Sequence, residues 1–197
     1  MSIVLIKEYA APAVDLRAIL RYAGVRDDAP DMIALANDCF AEAKSQLTYR
    51  VCYAEFPLAF GGEGLLDFGF GRVCSTSLSK HLMGCGSVVV LAATIGLAFD
   101  RLIARYSARI PSRAVMLDAL GVERVEALCD TFCQDIEGQT GKEITARFSP
   151  GYGDLPLTFQ REIFRALDVP RRIGISLNES LLMSPSKSVT AIVGIKA

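Results

Sequence analysis

The sequence predicts an α+β fold in which a mixed, largely antiparallel sheet is flanked by long helices. Strand-like runs rich in Val, Ile and Tyr follow one another in the chain, and long stretches with helical apolar spacing separate groups of strands. This order is typical of an α+β fold and not of a regularly alternating α/β sheet. Hydrophobic residues make up 51% of the 197 residues, which is enough for a substantial core. We therefore expect a single domain over residues 1–197.

The amino-terminal part is expected to supply a helical region at about residues 12–47 and then the first strands. Residues 14–22 have near-helical apolar spacing, and a second helix is expected over about 30–47. Residues 48–56 alternate and are rich in Tyr and Val, which suits a strand. A glycine-rich break follows, after which residues 65–73 are expected to return as the second strand of a hairpin.

The central segment predicts a buried strand followed by two helices. Residues 88–91 form an unbroken, mostly β-branched run, as in a strand covered on both faces. Helical spacing occupies residues 95–106, and Pro111 opens a longer helix that extends to about Glu137. This longer helix carries an acidic stripe made up of Glu123, Glu126, Asp130, Gln134 and Glu137. By this pattern alone, Glu126 is a solvated surface residue.

The last third of the chain changes character. Glycines end the long helix, and residues 147–154 form a turn-rich segment with two glycines and a proline. A helix is expected over about residues 158–167. Two strands are then expected, over residues 173–177 and 188–195.

The charge balance argues against two classes of partner. Lys and Arg total 21 against 22 for Asp and Glu, so the formal net charge of -1 supplies no global field for nucleic acid or an acidic membrane. The strongly apolar residues 88–99 have only about half the length that a membrane span requires. We expect neither a nucleic acid nor a membrane as partner.

Cysteine and histidine usage argues against a metal site and against hydrolytic catalysis. The six cysteines have no CxxC spacing, and the single histidine, His81, lacks a nucleophile-elbow pattern. Cys129 and Cys133 stand four residues apart and could present two thiols, but free cysteine mostly behaves as a small buried hydrophobe. Nothing before the cysteines looks like a cleavable signal, so we expect a cytoplasmic protein with reduced thiols.

Arg147, Pro150, Gly151 and Tyr152 offer the chemistry of a small-molecule site. Pro150 and Gly151 fit the central positions of a type II turn, where the backbone lies open to a close approach. Arg147 can fork onto a carboxylate, and Tyr152 offers a flat ring with a hydroxyl. These groups suit a small zwitterionic ligand with an aromatic base. Composition alone favours a simpler interpretation, since most Pro-Gly turns only reverse the chain and most nearby arginines are solvated.

A family resemblance changes that weighting. Arg147-Phe-Ser-Pro-Gly-Tyr152 matches the RxxxGY motif of the C-terminal activation domain of cobalamin-dependent methionine synthase. Residues 174–190 resemble the same domain's LTES…MxPxxSVSG block, and residues 115–130 are similar to its long helix. The three blocks occur in the family's order within residues 110–194. The whole chain resembles the shorter, stand-alone activation proteins, which implies their activation-domain-like α+β fold.

The resemblance implies a function in the reactivation of an oxidised corrinoid. An activation domain binds S-adenosylmethionine and supports reductive remethylation of cob(II)alamin, while an external electron donor supplies one electron. No cobalamin-binding DxHxxG pattern occurs in this chain, so cobalamin is expected only through a partner, a methionine synthase without its own reactivation domain. The resemblance implies an activation subunit of a methyltransferase system in methionine biosynthesis. Such a domain contributes mainly the positioning of the ligand, so whether the chain is itself an enzyme is left open.

The resemblance also implies roles for particular residues. Arg147 would bind the methionyl carboxylate, and the backbone around the Pro-Gly turn would hold the adenosyl part. Glu126 aligns with a glutamate of the family's ligand site, where a carboxylate suits a cationic amino group or sulfonium. The complete set of expected site residues is Arg147, Pro150, Gly151, Tyr152, Glu126, Glu179 and Ser180, the last two by their match to the family's TES positions. The fused family domain continues into a segment whose tyrosine closes over the ligand, so a more open pocket is expected here.

Two alternatives stay open at this point. The chain could bind S-adenosylmethionine as a regulator or activator of another corrinoid protein, with the ligand serving no methyl transfer. It could also be a structural interaction protein with a degenerate pocket. Ligand affinity separates the second alternative from the other two functions.

Overall fold

The computed structural model describes residues 2–25 and 29–197. Its α-helices are α1 (Leu16–Tyr22), α2 (Pro30–Ala43), α3 (Thr76–His81), α4 (Leu97–Ser107), α5 (Pro111–Thr140), α6 (Gln160–Leu167) and α7 (Val169–Ile173). Its strands are β1 (Leu5–Glu8), β2 (Arg50–Pro57), β3 (Ala59–Phe60), β4 (Leu65–Asp67), β5 (Arg72–Cys74), β6 (Cys85–Thr94), β7 (Ser176–Leu177), β8 (Met183–Ser184) and β9 (Ser188–Lys196). None of the helices in the described ranges combines the length and apolar character needed to cross a bilayer.

The principal sheet contains four antiparallel strands in the order β1-β2-β6-β9. Along the central strand β6, alternate side chains enter two different cores because successive residues of a strand point to opposite faces. Val89, Leu91 and Ala93 pack under α1, α2, α4 and α5. Val88, Val90 and Ala92 pack under α3, α6 and α7. The predicted α+β fold, with a mainly antiparallel sheet and a strand covered on both faces at residues 88–91, is confirmed.

The expected hairpin between residues 48–56 and 65–73 is wrong. Strand β2 pairs with β1 on one side and β6 on the other, so neither of its edges is left for a third partner. The second segment instead folds on itself, because Phe68 and Gly71 turn the chain between β4 and β5 and join these strands with β3 in a separate sheet.

Two other boundaries differ from expectation. Helix α2 ends at Ala43 and not near residue 47. The strand expected over residues 173–177 is shorter than predicted, because α7, opened by Pro170 in its first turn, extends to Ile173. Gly174, with φ of 74°, ends that helix, and only β7 remains extended.

Glu123 does not belong to a solvated stripe. Its side chain is 5% exposed and accepts from Arg124, whose own side chain is fully buried. Arg124 also donates to the carbonyl oxygens of Pro12 (2.8 Å) and Ala13 (2.7 Å), and Glu123 accepts from the N–H of Asp15 at 3.0 Å. The helix α5 therefore uses this pair to hold the segment before α1, and the exposed part of its acidic stripe begins at Glu126.

Residues 143–154, which we call the strap, begin along the outer edge of β9. Thr145 N–H donates to Gly194 O at 2.9 Å, and Phe148 and Ile192 exchange two hydrogen bonds of 2.9 and 2.8 Å. The pairing covers a sheet edge that would otherwise expose backbone donors and acceptors. It also carries Arg147 to a position beside α5.

Gly194 of β9 lies where neighbouring side chains leave no room for a Cβ. A Cβ added there would lie 2.5 Å from Cys85 Sγ and 2.8 Å from Leu82 Cδ2. We expect Gly194→Ala to destabilise the protein by about 1–3 kcal/mol through overpacking, measured as the free energy of unfolding in urea. Gly138→Ala is the matched control, since an added Cβ there meets nothing within 4 Å and α5 should gain about 0.5–1 kcal/mol. Equal effects at the two sites would contradict this account.

Candidate functional site

A groove lies between α5 and the strap. It consists of two cavities, of about 570 and 520 Å³, whose walls share Glu126, Ser149, Tyr152 and Val189. Each volume falls in the range of small-molecule sites. The first cavity has a polar wall, and the second is lined in part by Pro150, Leu157, Leu181, Leu182 and Met183. The groove therefore offers a charged end and an apolar end to one ligand.

Arg147 is held at the charged end by two carboxylates. Its Nη2 lies 2.6 Å from Glu126 Oε2, and its Nη1 lies 2.6 Å from Asp130 Oδ1. Glu126 and Asp130 reach the same guanidinium because residues four apart on a helix share one face. The Arg147 side chain is 20% exposed, against 40% for Glu126 and 64% for Asp130. The guanidinium has five N–H donors, and these two ion pairs take two of them.

The charged end carries more acid than base. Glu126, Asp130 and Glu137 line the first cavity together with one guanidinium, that of Arg147. Three carboxylates against one arginine give an excess of negative charge, which favours a ligand with cationic groups. The arginine still offers forked donors to an anionic group on the same ligand.

The turn at the centre of the strap has the geometry expected from the sequence. Tyr152 N–H donates to Ser149 O at 3.1 Å, and Gly151 has φ of 94°, as the third position of a type II turn requires. The Gly151 N–H itself donates to Leu155 O, so that amide is used inside the turn. Tyr152 is 67% exposed and lines both cavities, which leaves its ring available to a ligand.

Glu179 and Ser180 lie elsewhere, in the exposed turn between β7 and β8. The carbonyl oxygen of Glu179 accepts from Arg161 at 3.3 Å. The neighbouring Leu181, Leu182 and Met183 line the second cavity, whereas Glu179 and Ser180 are not among its lining residues. The structure thus brings Arg147, Glu126, Tyr152 and Pro150 together at the groove and places the TES positions at its margin.

Asp130 and Glu137 were missed as site residues by the sequence reasoning. The signal that could have found them is their spacing, since Glu126, Asp130 and Glu137 recur at intervals of four and seven on one helix.

The thiols beneath the groove are protonated side chains of the core. Cys129 is fully buried, and burial raises its pKa to about 12. Burial also raises the pKa of Cys133, which lines the first cavity. Within the described ranges, no group of three or more His, Cys, Asp or Glu side chains is placed to hold a metal ion.

Comparisons with known proteins point to one family and one fold. A family model described as the activation domain of vitamin B12 dependent methionine synthase matches residues 83–196. A crystal structure described as the MetH reactivation domain bound to AdoHcy is 17% identical, with a TM-score of 0.73. That likeness covers 97% of this chain and 78% of the solved one, and it supports the fold. A comparison with curated protein sequences found no match.

Proposed function

The chain belongs to the family of vitamin B12-dependent methionine synthase activation domains, and from this premise we propose that it binds S-adenosylmethionine in the groove between α5 and the strap. Bound there, the ligand supplies the methyl group for reductive remethylation of cob(II)alamin in a partner methionine synthase. An external electron donor supplies one electron, and S-adenosylhomocysteine leaves. The observation that carries the proposal is Arg147, fixed between Glu126 and Asp130 at the charged end of a groove whose other wall is Tyr152.

Each end of the groove matches one part of S-adenosylmethionine. The N–H groups of Arg147 that do not donate to Glu126 or Asp130 can donate to the methionyl carboxylate. The carboxylates of the charged end can attract the ammonium and sulfonium groups. The exposed ring of Tyr152 and the backbone of Pro150 and Gly151 suit the adenosyl part, which needs a flat apolar surface. The role of the chain is to hold the ligand in one orientation, which requires no general base.

Glu179 and Ser180 enter the proposal with a lesser role. Their turn precedes Leu181 and Leu182 on the rim of the second cavity, so they would act on the ligand through the position of that rim.

The proposal is tested by calorimetric titration of the folded protein with S-adenosylmethionine, followed by anaerobic reactivation of a cob(II)alamin-loaded methionine synthase. We expect saturable one-site binding, and a visible spectrum of methylcobalamin only when this protein, S-adenosylmethionine and reductant are all present. Absence of binding would refute the proposal. Binding without reactivation of any methionine synthase would favour the alternative of a regulator of another corrinoid protein.

The excess of acid in the groove predicts a preference for the charged sulfonium over the neutral thioether product. The attraction between a carboxylate and a sulfonium several ångströms away is on the order of 0.6 kcal/mol in water. Glu137→Gln should therefore lower the ratio of the affinity for S-adenosylmethionine to that for S-adenosylhomocysteine by about threefold. Added salt should weaken the preference in the wild type. Asp38→Asn, at an exposed position on α2, is the control. An unchanged ratio in Glu137→Gln would contradict the charge argument.

We also propose that the protein acts in the cytoplasm. Its cysteines are free thiols, such as the buried Cys39 and Cys129, and a reducing compartment keeps thiols in that state.

A further inference from the structure

The strap that carries the groove's arginine is attached at two points to α3, a helix that does not line either cavity. We propose that α3 is a rigid support for the ligand site, and that Asp154 and His81 are positioning residues that fix the positions of Arg147 and Tyr152. The inference rests on the proposed function, because it concerns how the same groove is kept in its binding shape.

Asp154 makes the first attachment, at the amino-terminal end of α3. Its Oδ1 accepts from Ser75 Oγ at 2.5 Å and from Ser77 N–H at 3.1 Å, and its Oδ2 accepts from Thr76 N–H at 2.7 Å. These hydrogen bonds, that from Ser75 above all, hold the pKa of Asp154 well below its usual range. The carboxylate therefore stays charged in neutral solution and ties the end of the strap to three consecutive residues.

The close approach at this attachment depends on the residue next to Asp154. Gly153 has φ of 53°, and a Cβ added there would lie 2.8 Å from Ser77 Oγ. Only a glycine fits such a position without strain. The backbone between the Pro-Gly turn and Asp154 therefore packs directly against α3.

His81 makes the second attachment, at the carboxy-terminal end of α3. Its Nε2–H donates to Ala146 O at 2.7 Å, one residue before Arg147. Its ring also packs on Phe148, with ring centroids 5.2 Å apart, and Phe148 in turn contacts Tyr152 at 6.3 Å. The histidine therefore fixes the backbone on one side of Arg147 and supports the aromatic residue on its other side.

The helix α3 is anchored in the core. Leu78 of α3 and Leu82, the residue that follows it, are fully buried in the core under the principal sheet. Ser75 is 2% exposed, and its Oγ accepts from Leu78 N–H at 3.0 Å as the helix cap. Because α3 is anchored in the core and holds both ends of residues 146–154, displacement of either contact moves the guanidinium relative to Glu126.

The test measures the S-adenosylmethionine dissociation constant of Asp154→Ala, Asp154→Asn and His81→Phe at a temperature where circular dichroism shows each variant folded. Because small misplacements of binding groups are costly, Asp154→Ala should weaken binding about 10-fold, and Asp154→Asn, which keeps one acceptor oxygen, less than that. His81→Phe keeps the ring on Phe148 and removes the donor to Ala146, so an intermediate loss of about fivefold isolates the hydrogen bond.

Asp15→Ala is the matched control, because Asp15 is also an aspartate whose side chain accepts at a helix start, from Ala18 N–H in α1, and it lines neither cavity. It should lower the melting temperature without changing the dissociation constant. Wild-type affinity in both Asp154→Ala and His81→Phe, or the same loss in Asp15→Ala, overturns the inference while the proposed function stands. Should the wild type itself not bind, both fall. If Asp154→Ala does not fold, Asp154→Asn and His81→Phe decide the question.

Discussion

Replacing Arg147 by alanine is expected to lower the affinity for S-adenosylmethionine by about 100-fold, because two charge-assisted hydrogen bonds to a carboxylate are lost together. The change would also leave Glu126 and Asp130 facing the ligand carboxylate without their counter-ion. Stability should fall by less than about 1 kcal/mol, since both partner carboxylates of Arg147 are partly exposed. Titration calorimetry for affinity and urea unfolding for stability check the two parts of the prediction separately.

Two further variants sharpen this test. Arg147→Lys keeps the positive charge but loses the paired N–H donors of the guanidinium, so its affinity for S-adenosylmethionine should lie between those of the wild type and Arg147→Ala. Arg165→Ala removes an arginine whose side chain is 73% exposed and pairs with Glu162 outside the groove, and it should bind as the wild type does. Full affinity in Arg147→Ala would show that the ligand binds elsewhere.

Patterns with one strong physical cause were predicted well from the sequence. The run Val88 to Leu91 predicted a strand covered on both faces, because an unbroken apolar strand has no side left for water. Pro111 marked the start of α5, since proline suits the first turn of a helix. The strand partners of residues 65–73 could not be predicted in this way, because pairing depends on which edges are already occupied.

For the candidate site, the residues predicted the turn, the family resemblance added Glu126, and Asp130 was missed. The Pro-Gly pair predicted a positive φ at Gly151, and the structure has it. The pairing of Arg147 with Asp130 joins an arginine on the strap to the helix before it, and only the path of the strap along β9 brings the two together. Tertiary placement likewise decided that Glu123 is buried and Glu126 is partly exposed, although both lie on one helix and have the same side chain.

Arg124 is expected to be the costliest ion-pair residue to replace. Arg124→Met should destabilise the protein by about 3–5 kcal/mol, because it leaves the buried Glu123 carboxylate without its partner. The carbonyl oxygens of Pro12 and Ala13 would also lose their donor, which loosens the segment before α1 from α5. The free energy of unfolding in urea measures this loss, and Arg165→Met, at an exposed ion pair, should cost less than about 1 kcal/mol.

The double variant Glu123→Gln with Arg124→Met separates lost charge pairing from lost packing. The introduced amide side chain still offers an oxygen to Asp15 N–H and carries no charge, so the double variant should be more stable than Arg124→Met alone. A double variant that is less stable than Arg124→Met, with the two single costs simply adding, would show that the buried charge is not what makes Arg124 necessary. In that case the two carbonyl contacts alone would hold the amino-terminal segment on α5, and the ion pair would be incidental to the fold.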